Sequence, residues 1–137
     1  MSQIYRVTKV IDFCYGHRLL NYQGECKNLH GHNGRVEIEL QSAALDDRGM
    51  VVDFEEIKQQ IKSWINSELD HKMILCREDP IIPLLRERKE PYVEINSNPT
   101  AENIARMIYE HAVSKNFPVR CVRLWETISS FAEYGDR

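Results

Sequence analysis

The sequence predicts an α+β domain in which an antiparallel sheet is covered on one face by two helices. Alternating apolar and polar residues at both ends of the chain predict strands, and two segments between them have the apolar spacing of amphipathic helices. The predicted order is strand, strand, helix, helix, strand, strand. A length of 137 residues is typical of one domain, so we expect residues 1–137 to fold together.

Residues 4–15 and 30–41 are the first two predicted strands, joined by a loop over 18–29. Apolar residues of one parity mark the first strand: Tyr5, Val7, Ile11, Phe13 and Tyr15. The second strand alternates in the same way at Val36, Ile38 and Leu40. Side chains two residues apart in a strand share a face, so each strand has one face directed toward the core.

Residues 54–69 are the first predicted helix, because apolar residues recur there every four positions at Ile57, Ile61, Ile65 and Leu69. Asp53 precedes this helix as a predicted N-cap, with Glu56 three residues later in a capping-box pattern. Thr100 is the predicted N-cap of the second helix. Its apolar stripe consists of Ala101, Ile104, Ala105, Ile108 and Ala112.

The remaining segments have weaker patterns. Residues 73–98 are expected to be irregular, with a short strand candidate over 92–95 and a solvated charged loop over 86–90. Residues 119–128 predict a third strand and 130–134 a short fourth one. A four-stranded sheet has open edges in a monomer, so we expect copies of the chain to associate edge to edge.

Composition excludes several classes of function. The net charge of −3 is spread along the chain, which is unlike a nucleic-acid or membrane-binding surface. No apolar run approaches the roughly 20 residues of a membrane-spanning helix, and the N-terminus lacks a signal-peptide core. We therefore expect a cytoplasmic location. There the four cysteines would stay reduced, with Cys14 and Cys121 as buried packing residues.

Three histidines share the phase of the buried strand faces. His30 and His32 flank Gly31 in the second strand, and His17 continues the apolar parity of the first. By phase, all three lie on one face near one end of a hairpin. Three neutral imidazoles with one open position are a common arrangement for catalytic zinc. The sequence therefore predicts a metal site, although ordinary hydrogen-bonded histidines remain an alternative.

Cys26 precedes His30 by four residues in the loop. As a fourth ligand it would close a structural zinc site. As a catalytic base or nucleophile it requires a lowered pKa, which a nearby dication provides. Spacing alone leaves both alternatives open.

Asp70-His71 is a second candidate pair, at the end of the first predicted helix. A carboxylate can fix the tautomer of a histidine that shuttles protons. Because adjacent residues rarely bond each other, another acid is an alternative partner, and a helix C-cap is an alternative role for His71. Glu126 has the parity of the aliphatic residues in the third strand. It is either a strand-end carboxylate in solvent or an anchor that accepts two hydrogen bonds from an N–H/NH₂ edge.

These motifs occur together in one order. They are Cys26-Lys27-Asn28-Leu29-His30-Gly31-His32, Gly16-His17-Arg18-Leu19, Met50-Val51-Val52-Asp53-Phe54, Leu69-Asp70-His71-Lys72, Asn98-Pro99-Thr100-Ala101-Glu102-Asn103 and Trp125-Glu126-Thr127. From about residue 4 to residue 134, the chain resembles the 6-pyruvoyl-tetrahydropterin synthase / 6-carboxy-5,6,7,8-tetrahydropterin synthase family.

The resemblance implies the tunnelling fold (T-fold), with ββααββ subunits forming trimeric barrels that pair into hexamers. It implies active sites between subunits and a lyase that removes triphosphate from 7,8-dihydroneopterin triphosphate. It also implies roles for individual residues: zinc on His17, His30 and His32, a general base at Cys26, a proton-transferring pair at Asp70 and His71, and a pterin anchor at Glu126 helped by Thr127.

The family has two branches. One makes 6-pyruvoyl-tetrahydropterin for tetrahydrobiopterin. The other releases acetaldehyde and makes 6-carboxy-5,6,7,8-tetrahydropterin on the queuosine route, and the short Cys26–His32 loop resembles this branch.

Glu25 stands beside Cys26 and is a candidate to share its role. The segment 73–95 differs from the shortest family members. A non-catalytic zinc- or pterin-binding oligomer is the remaining alternative. Nearby cations for the triphosphate are Arg18, Lys27 and Lys72.

Overall fold

A computed structural model describes residues 3–137 as one six-stranded sheet with helices packed on one of its faces. The strand order across the sheet is β4-β3-β1-β2-β5-β6. The strands are β1 Tyr5–His17, β2 His30–Ser42, β3 Lys72–Cys76, β4 Tyr92–Ile95, β5 Val119–Thr127 and β6 Ser130–Gly135.

The helices confirm both predicted N-caps. Asp53 accepts a hydrogen bond from the Glu55 N–H, and Thr100 accepts one from the Asn103 N–H. The first predicted helix is a continuous helical segment with a π-helical turn in its middle. The helical elements are α1 Phe54–Ile57, the π-helical turn Lys58–Lys62, α2 Ser63–Glu68, α3 Ile82–Glu87 and α4 Ala101–Ser114. Within residues 3–137, no helix combines the length and apolarity required to cross a bilayer.

β1 and β2 form the central hairpin of the sheet. They pair in antiparallel register from Tyr5 opposite Ser42 to His17 opposite His30. One face, here called the helix-covered face, packs against the helices. Its buried members include Ile11, Phe13, Tyr15, Val36, Ile38, Leu40, Val122 and Leu124, with Ile61, Ile65, Ile104 and Ile108 from the helical segments. The opposite face, here called the open face, has the polar residues Asp12, Cys14, Asn33, Arg35 and Glu37.

The prediction of a wholly antiparallel, four-stranded sheet was wrong in one region. β3 lies within the segment expected to be irregular, and it pairs in parallel with β1. β4, the strand candidate over 92–95, is confirmed and pairs in parallel with β3. The sequence Lys72-Met73-Ile74-Leu75-Cys76 has consecutive apolar residues, and a strand without alternation cannot be recognised by a period of two.

Two local expectations were also wrong. The charged run over 86–90 is not entirely loop, because α3 extends through Glu87. Pro83 lies in the first turn of α3, where the missing N–H costs no helical hydrogen bond. Cys14 is not a buried packing residue but is partly exposed, whereas Cys121 is buried as predicted. Burial raises the pKa of the Cys121 thiol to about 11.

Candidate functional site

The three predicted histidines meet at one end of the helix-covered face. His17 lies directly opposite His30 in the β1–β2 ladder, and His32 lies two residues further along β2. The Nε2 atoms of His17 and His32 are 3.1 Å apart. One ring nitrogen from each of the three residues lies within 4.8 Å of the others. Three possible nitrogen ligands therefore lie around one point, as the strand phase predicted.

Backbone carbonyls fix the orientation of two of these rings. The His17 Nδ1 lies 2.6 Å from the Pro99 carbonyl oxygen, and the His30 Nδ1 lies 2.7 Å from the Asn28 carbonyl oxygen. A carbonyl only accepts, so each Nδ1 donates the proton and each Nε2 keeps its lone pair. This is the usual outer-shell arrangement of histidines that bind a metal.

The electrostatics of the cluster fit a divalent cation. The His30 Nε2 is buried and has no hydrogen-bond partner within residues 3–137. His17 is buried, and that burial lowers its pKa despite the Pro99 hydrogen bond, so the ring is held neutral. Three imidazole rings whose nitrogens approach one point, one of them without a hydrogen-bond partner among the described residues, form a donor set that zinc accepts. We therefore infer that these residues fit a zinc ion.

Glu126 lies beside this cluster, near the end of β5. Its Oε2 is 3.4 Å from the His32 Nε2, and 26% of its side chain is exposed. The carboxylate is thus partly buried next to the histidines and does not extend freely into solvent. Burial and the charge of Glu126 both raise the pKa of Tyr15, which packs against His17 and His32.

Asp70 and His71 bond each other directly, at 2.8 Å between Oδ2 and Nδ1. The alternative of another acid as the partner was therefore wrong. His71 has a left-handed backbone with φ of 60°, a conformation uncommon for residues other than glycine. Its N–H donates to the Cys14 carbonyl at 2.7 Å and not to the preceding helix, so the helix-cap alternative was also wrong.

The Asp70 carboxylate has a second donor. The Cys14 N–H donates to Asp70 Oδ1 at 2.8 Å. Burial raises the pKa of Asp70, but the hydrogen bonds from Cys14 and His71 outweigh burial and leave that pKa below its usual value. Asp70 is therefore a carboxylate at neutral pH and orients the His71 ring through Nδ1, which leaves the other ring nitrogen available for proton transfer.

Two adjoining clefts contain these groups. A cavity of about 1010 Å³ on the open face is lined by Asp70, His71, Glu126 and Thr127, among others. A second cavity, of about 780 Å³, reaches His30 and His32. The two cavities share the wall residues Cys14, Asn33 and His71. The predicted proton-transfer pair and the predicted pterin anchor thus lie in one cleft.

Cys26 is placed differently from the other candidates. It lies in a short 3₁₀ turn over Glu25–Lys27 and lines neither cleft. The histidine cluster has no thiol from Cys26 within its 4.8 Å limit. Hydrogen bonds hold this loop in two places. The Leu19 N–H donates to the Cys26 carbonyl at 2.8 Å, and the Asn98 side chain bonds both the N–H and the carbonyl of Leu20. The catalytic role of Cys26 stays a prediction.

The three cations near the predicted site make different contacts. Arg18 donates its Nε–H to the buried carboxylate of Asp79 at 2.8 Å, in a pair that also involves a second nitrogen. Lys72 donates its ammonium to the Ser67 carbonyl at 2.8 Å, while Lys27 is exposed. Of these three cations, Lys72 lines the second cleft, and Arg18 and Lys27 line neither.

Sequence reasoning missed Cys14 as a cleft residue. Its thiol donates to Asn33 Oδ1 at 3.0 Å across the β1–β2 ladder. The alternation of β1 contained the necessary information, because Cys14 stands between the core residues Phe13 and Tyr15 and must face the other way.

The fold and the site together define an enzyme class, that of the tetrahydropterin synthases with a T-fold. A solved structure of an uncharacterized protein from Wolinella succinogenes matches with a TM-score of 0.82 at 27% identity, covering 99% of this chain and 100% of that one. The Caenorhabditis elegans 6-pyruvoyl tetrahydropterin synthase has the same fold, with a TM-score of 0.73 at 22% identity and coverages of 99% and 98%.

Sequence comparisons identify the family. The profile of 6-pyruvoyl tetrahydropterin synthase matches residues 6–137. A Rickettsia conorii relative named 6-carboxy-5,6,7,8-tetrahydropterin synthase is 36% identical over 93% of this chain and 98% of its own length. A Haemophilus influenzae relative of the same name is 31% identical, with coverages of 97% and 100%. The chain belongs to the 6-pyruvoyl tetrahydropterin synthase family.

Proposed function

We propose that this protein converts 7,8-dihydroneopterin triphosphate to 6-carboxy-5,6,7,8-tetrahydropterin, with release of triphosphate and acetaldehyde. The observation that supports this reaction most directly is the convergence of His17, His30 and His32 beside Glu126. The relatives that carry the 6-carboxy name support this branch over the 6-pyruvoyl branch.

His17, His30 and His32 would hold the zinc ion of the proposed enzyme. When bound, zinc supplies Lewis acidity that lowers the pKa of substrate hydroxyl groups and stabilises developing negative charge. The protein contribution is to orient the His17 and His30 rings through the Pro99 and Asn28 carbonyls before an ion binds.

Glu126 would orient the pterin. Its carboxylate can accept two parallel hydrogen bonds from the N–H and NH₂ edge of an aminopyrimidinone ring. Because Glu126 lies 3.4 Å from His32, a ring held by this carboxylate has its side chain close to the histidine cluster. Thr127 lines the same cleft and offers a hydroxyl to the ring.

Proton transfer would use Cys26 together with the Asp70–His71 pair. Asp70 fixes the His71 tautomer by its bond to Nδ1, which leaves the other ring nitrogen to donate or accept a proton. Within one chain, Cys26 lines neither cleft. If a neighbouring subunit completes the site, Cys26 from one subunit can act together with the Asp70–His71 pair of another. This arrangement agrees with the intersubunit sites that the resemblance implies.

Assembly is part of the proposal. β4 and β6 are the edges of the open sheet, and unpaired edge strands are ready to pair with further chains. We propose a homohexamer, built as a dimer of trimers, that acts in the cytoplasm without nucleic-acid or membrane partners.

Product identification tests the reaction. Zinc-loaded protein is incubated with 7,8-dihydroneopterin triphosphate, and the products are identified by mass spectrometry together with an acetaldehyde assay. We expect carboxy-tetrahydropterin and acetaldehyde in equal amounts. A pyruvoyl product without acetaldehyde would move the protein to the other branch, and the absence of turnover would refute the proposal.

A matched pair of variants tests the anchor. Glu126→Gln keeps the shape of the side chain but removes the charge and one acceptor, so we expect substrate binding to weaken by about 10-fold or more. Glu110→Gln is the control, because Glu110 is exposed and pairs only with Arg106 within the described residues. Equal substrate affinity in both variants would contradict the anchor role.

A further inference from the structure

A second cluster of potential metal ligands lies outside the histidine cluster. Cys14, Asp70 and His71 each offer one ligand atom, and these atoms all lie within 4.8 Å of one another. The cluster combines a thiol, a carboxylate and an imidazole, three groups that zinc accepts. All three residues line the first cleft, and Cys14 and His71 also line the second, so solvent can deliver an ion.

Hydrogen bonds hold this cluster in place without any ion. The Cys14 N–H donates to Asp70 Oδ1 at 2.8 Å, and the His71 N–H donates to the Cys14 carbonyl at 2.7 Å. These two bonds fasten the Asp70–His71 turn to β1 from both sides. They also maintain the left-handed backbone of His71, which by itself is unfavourable for a histidine. The ligands are therefore preorganised, which reduces the entropic cost of binding.

Asn33 adds an oxygen next to the sulfur. Its Oδ1 lies 3.0 Å from the Cys14 Sγ, directly across the β1–β2 ladder. This oxygen accepts a hydrogen bond from the Cys14 thiol. A site with three protein ligands and a neighbouring amide oxygen resembles an open zinc site more than a closed structural one.

We propose that Cys14, Asp70 and His71 form a second, inhibitory site for a thiophilic divalent cation such as Zn²⁺. Binding replaces the thiol proton of Cys14, which leaves to solvent, by a metal–sulfur bond. Thiolate and imidazole ligands favour Zn²⁺ over Mg²⁺ or Ca²⁺, which take oxygen. Inhibition rests on the proposed function, because an ion on His71 occupies the ring that would transfer protons. The binding itself does not depend on that function.

Cobalt is the probe for the binding test. The full-length protein is first loaded with one equivalent of Zn²⁺ per chain and then titrated with Co²⁺. A thiolate bound to Co²⁺ absorbs in the near ultraviolet, whereas imidazole and carboxylate ligands do not produce this band. We expect the band to rise and saturate after one further equivalent. Absence of the band in the wild-type protein would overturn the proposal.

Three variants assign the band. Cys14→Ser should abolish it while retaining the first zinc equivalent, and Cys26→Ser should keep it, because Cys26 is not in the cluster. His71→Ala should weaken Co²⁺ binding at least 10-fold, and 77% exposure of that side chain means that the fold does not depend on it. A band that survives in Cys14→Ser, or disappears only in Cys26→Ser, would overturn the assignment.

Activity measurements separate the two proposals. If one-zinc protein makes product, a second equivalent of Zn²⁺ should reduce turnover at least 10-fold in wild type and leave Cys14→Ser unaffected. Turnover that is insensitive to the second equivalent would overturn inhibition. If one-zinc protein makes no product from 7,8-dihydroneopterin triphosphate, the proposed function fails, and the cobalt band still decides whether the second site exists.

Discussion

The two faces of the β1–β2 hairpin carry chemically different clusters, because adjacent residues of a strand face opposite sides of the sheet. On the helix-covered face, His17 is 2% exposed and its ring is fixed by a backbone carbonyl. Around Cys14 on the open face, the His71 side chain is 77% exposed and is held by a neighbouring carboxylate. The histidine cluster is therefore the less exposed of the two, and the cluster around Cys14 is open to solvent through His71.

The two clusters also differ in what determines their geometry. The ladder register of β1 and β2 brings His17 opposite His30, so the buried cluster depends on the pairing of two long strands. The exposed cluster depends on a two-residue turn after α2, whose left-handed residue His71 is pinned to Cys14. We therefore expect changes in the strand ladder to disturb the first cluster and changes in this turn to disturb the second.

Removal of a ligand from the histidine cluster should have the largest effect. His30→Ala leaves two imidazoles, and we expect zinc affinity to fall by more than the roughly 10–100-fold typical of outer-shell changes, with activity undetectable. Metal content of the purified protein, measured by mass spectrometry, checks this. Glu110→Gln is the control, because Glu110 is exposed and lines neither cleft, and it should keep the zinc content of the wild type. Full zinc occupancy in His30→Ala would contradict the assignment.

Removal of the proton-transfer charge should have the next largest effect. Asp70→Asn keeps the side-chain shape but no longer fixes the His71 tautomer, so we expect kcat to fall by about 10²–10⁴-fold with zinc still bound. Steady-state kinetics with a metal assay on the same sample checks this. Asp12→Asn, an exposed carboxylate in the same cleft, should change kcat less than about 2-fold. Equal losses in both variants would argue against a specific role for Asp70.

Stability should distinguish the two faces as sharply as activity does. Ile38 is fully buried on the helix-covered face, and Ile38→Ala should lower the free energy of unfolding by about 2–5 kcal/mol. Arg35 is exposed on the open face, and Arg35→Ala should change that free energy by about 0.5 kcal/mol or less. Urea denaturation of both variants measures the difference, and similar losses would mean that the open face is also packed.

The smallest expected effect depends on pH. Arg18 follows His17, and its hydrogen bond to Asp79 holds the pKa of that buried carboxyl below its usual value. Asp79→Asn should therefore cost about 1.5–3 kcal/mol at neutral pH. A depressed pKa stabilises the folded state above the unfolded value of about 3.9, and this stabilisation disappears as pH falls through the folded pKa.

Denaturation midpoints measured from neutral pH down to about pH 3 check this prediction. The difference between the wild type and Asp79→Asn should stay constant above the unfolded pKa and shrink below it. A difference that grows on acidification would reverse the sign of the argument and exclude the ion pair as its source.

Much of the buried cluster could be predicted from the sequence, because parity is a local property. His17, His30 and His32 have the phase of Tyr15 and Val36, and the structure places all of them on the helix-covered face. The caps of the helices at Asp53 and Thr100 were predictable for the same reason, since capping depends on residues at most three positions away.

The cluster of Cys14, Asp70 and His71 depends on long-range contacts, which a local sequence pattern does not reveal. The Asp70–His71 bond exists because His71 is left-handed, and that conformation is maintained by a hydrogen bond to Cys14, 57 residues earlier. β3 was missed for a related reason. Its parallel pairing with β1 is a long-range contact, and its unbroken apolar run fits a buried helix segment equally well.

The pairing of His17 with His30 would link the proposed metal binding to the folding of the hairpin. A slip of one residue between β1 and β2 would reverse the faces of one strand relative to the other and separate the three imidazoles. An ion that binds only the native register stabilises that register over its competitors. Zinc would then favour the correctly paired hairpin over misaligned ones before any substrate binds.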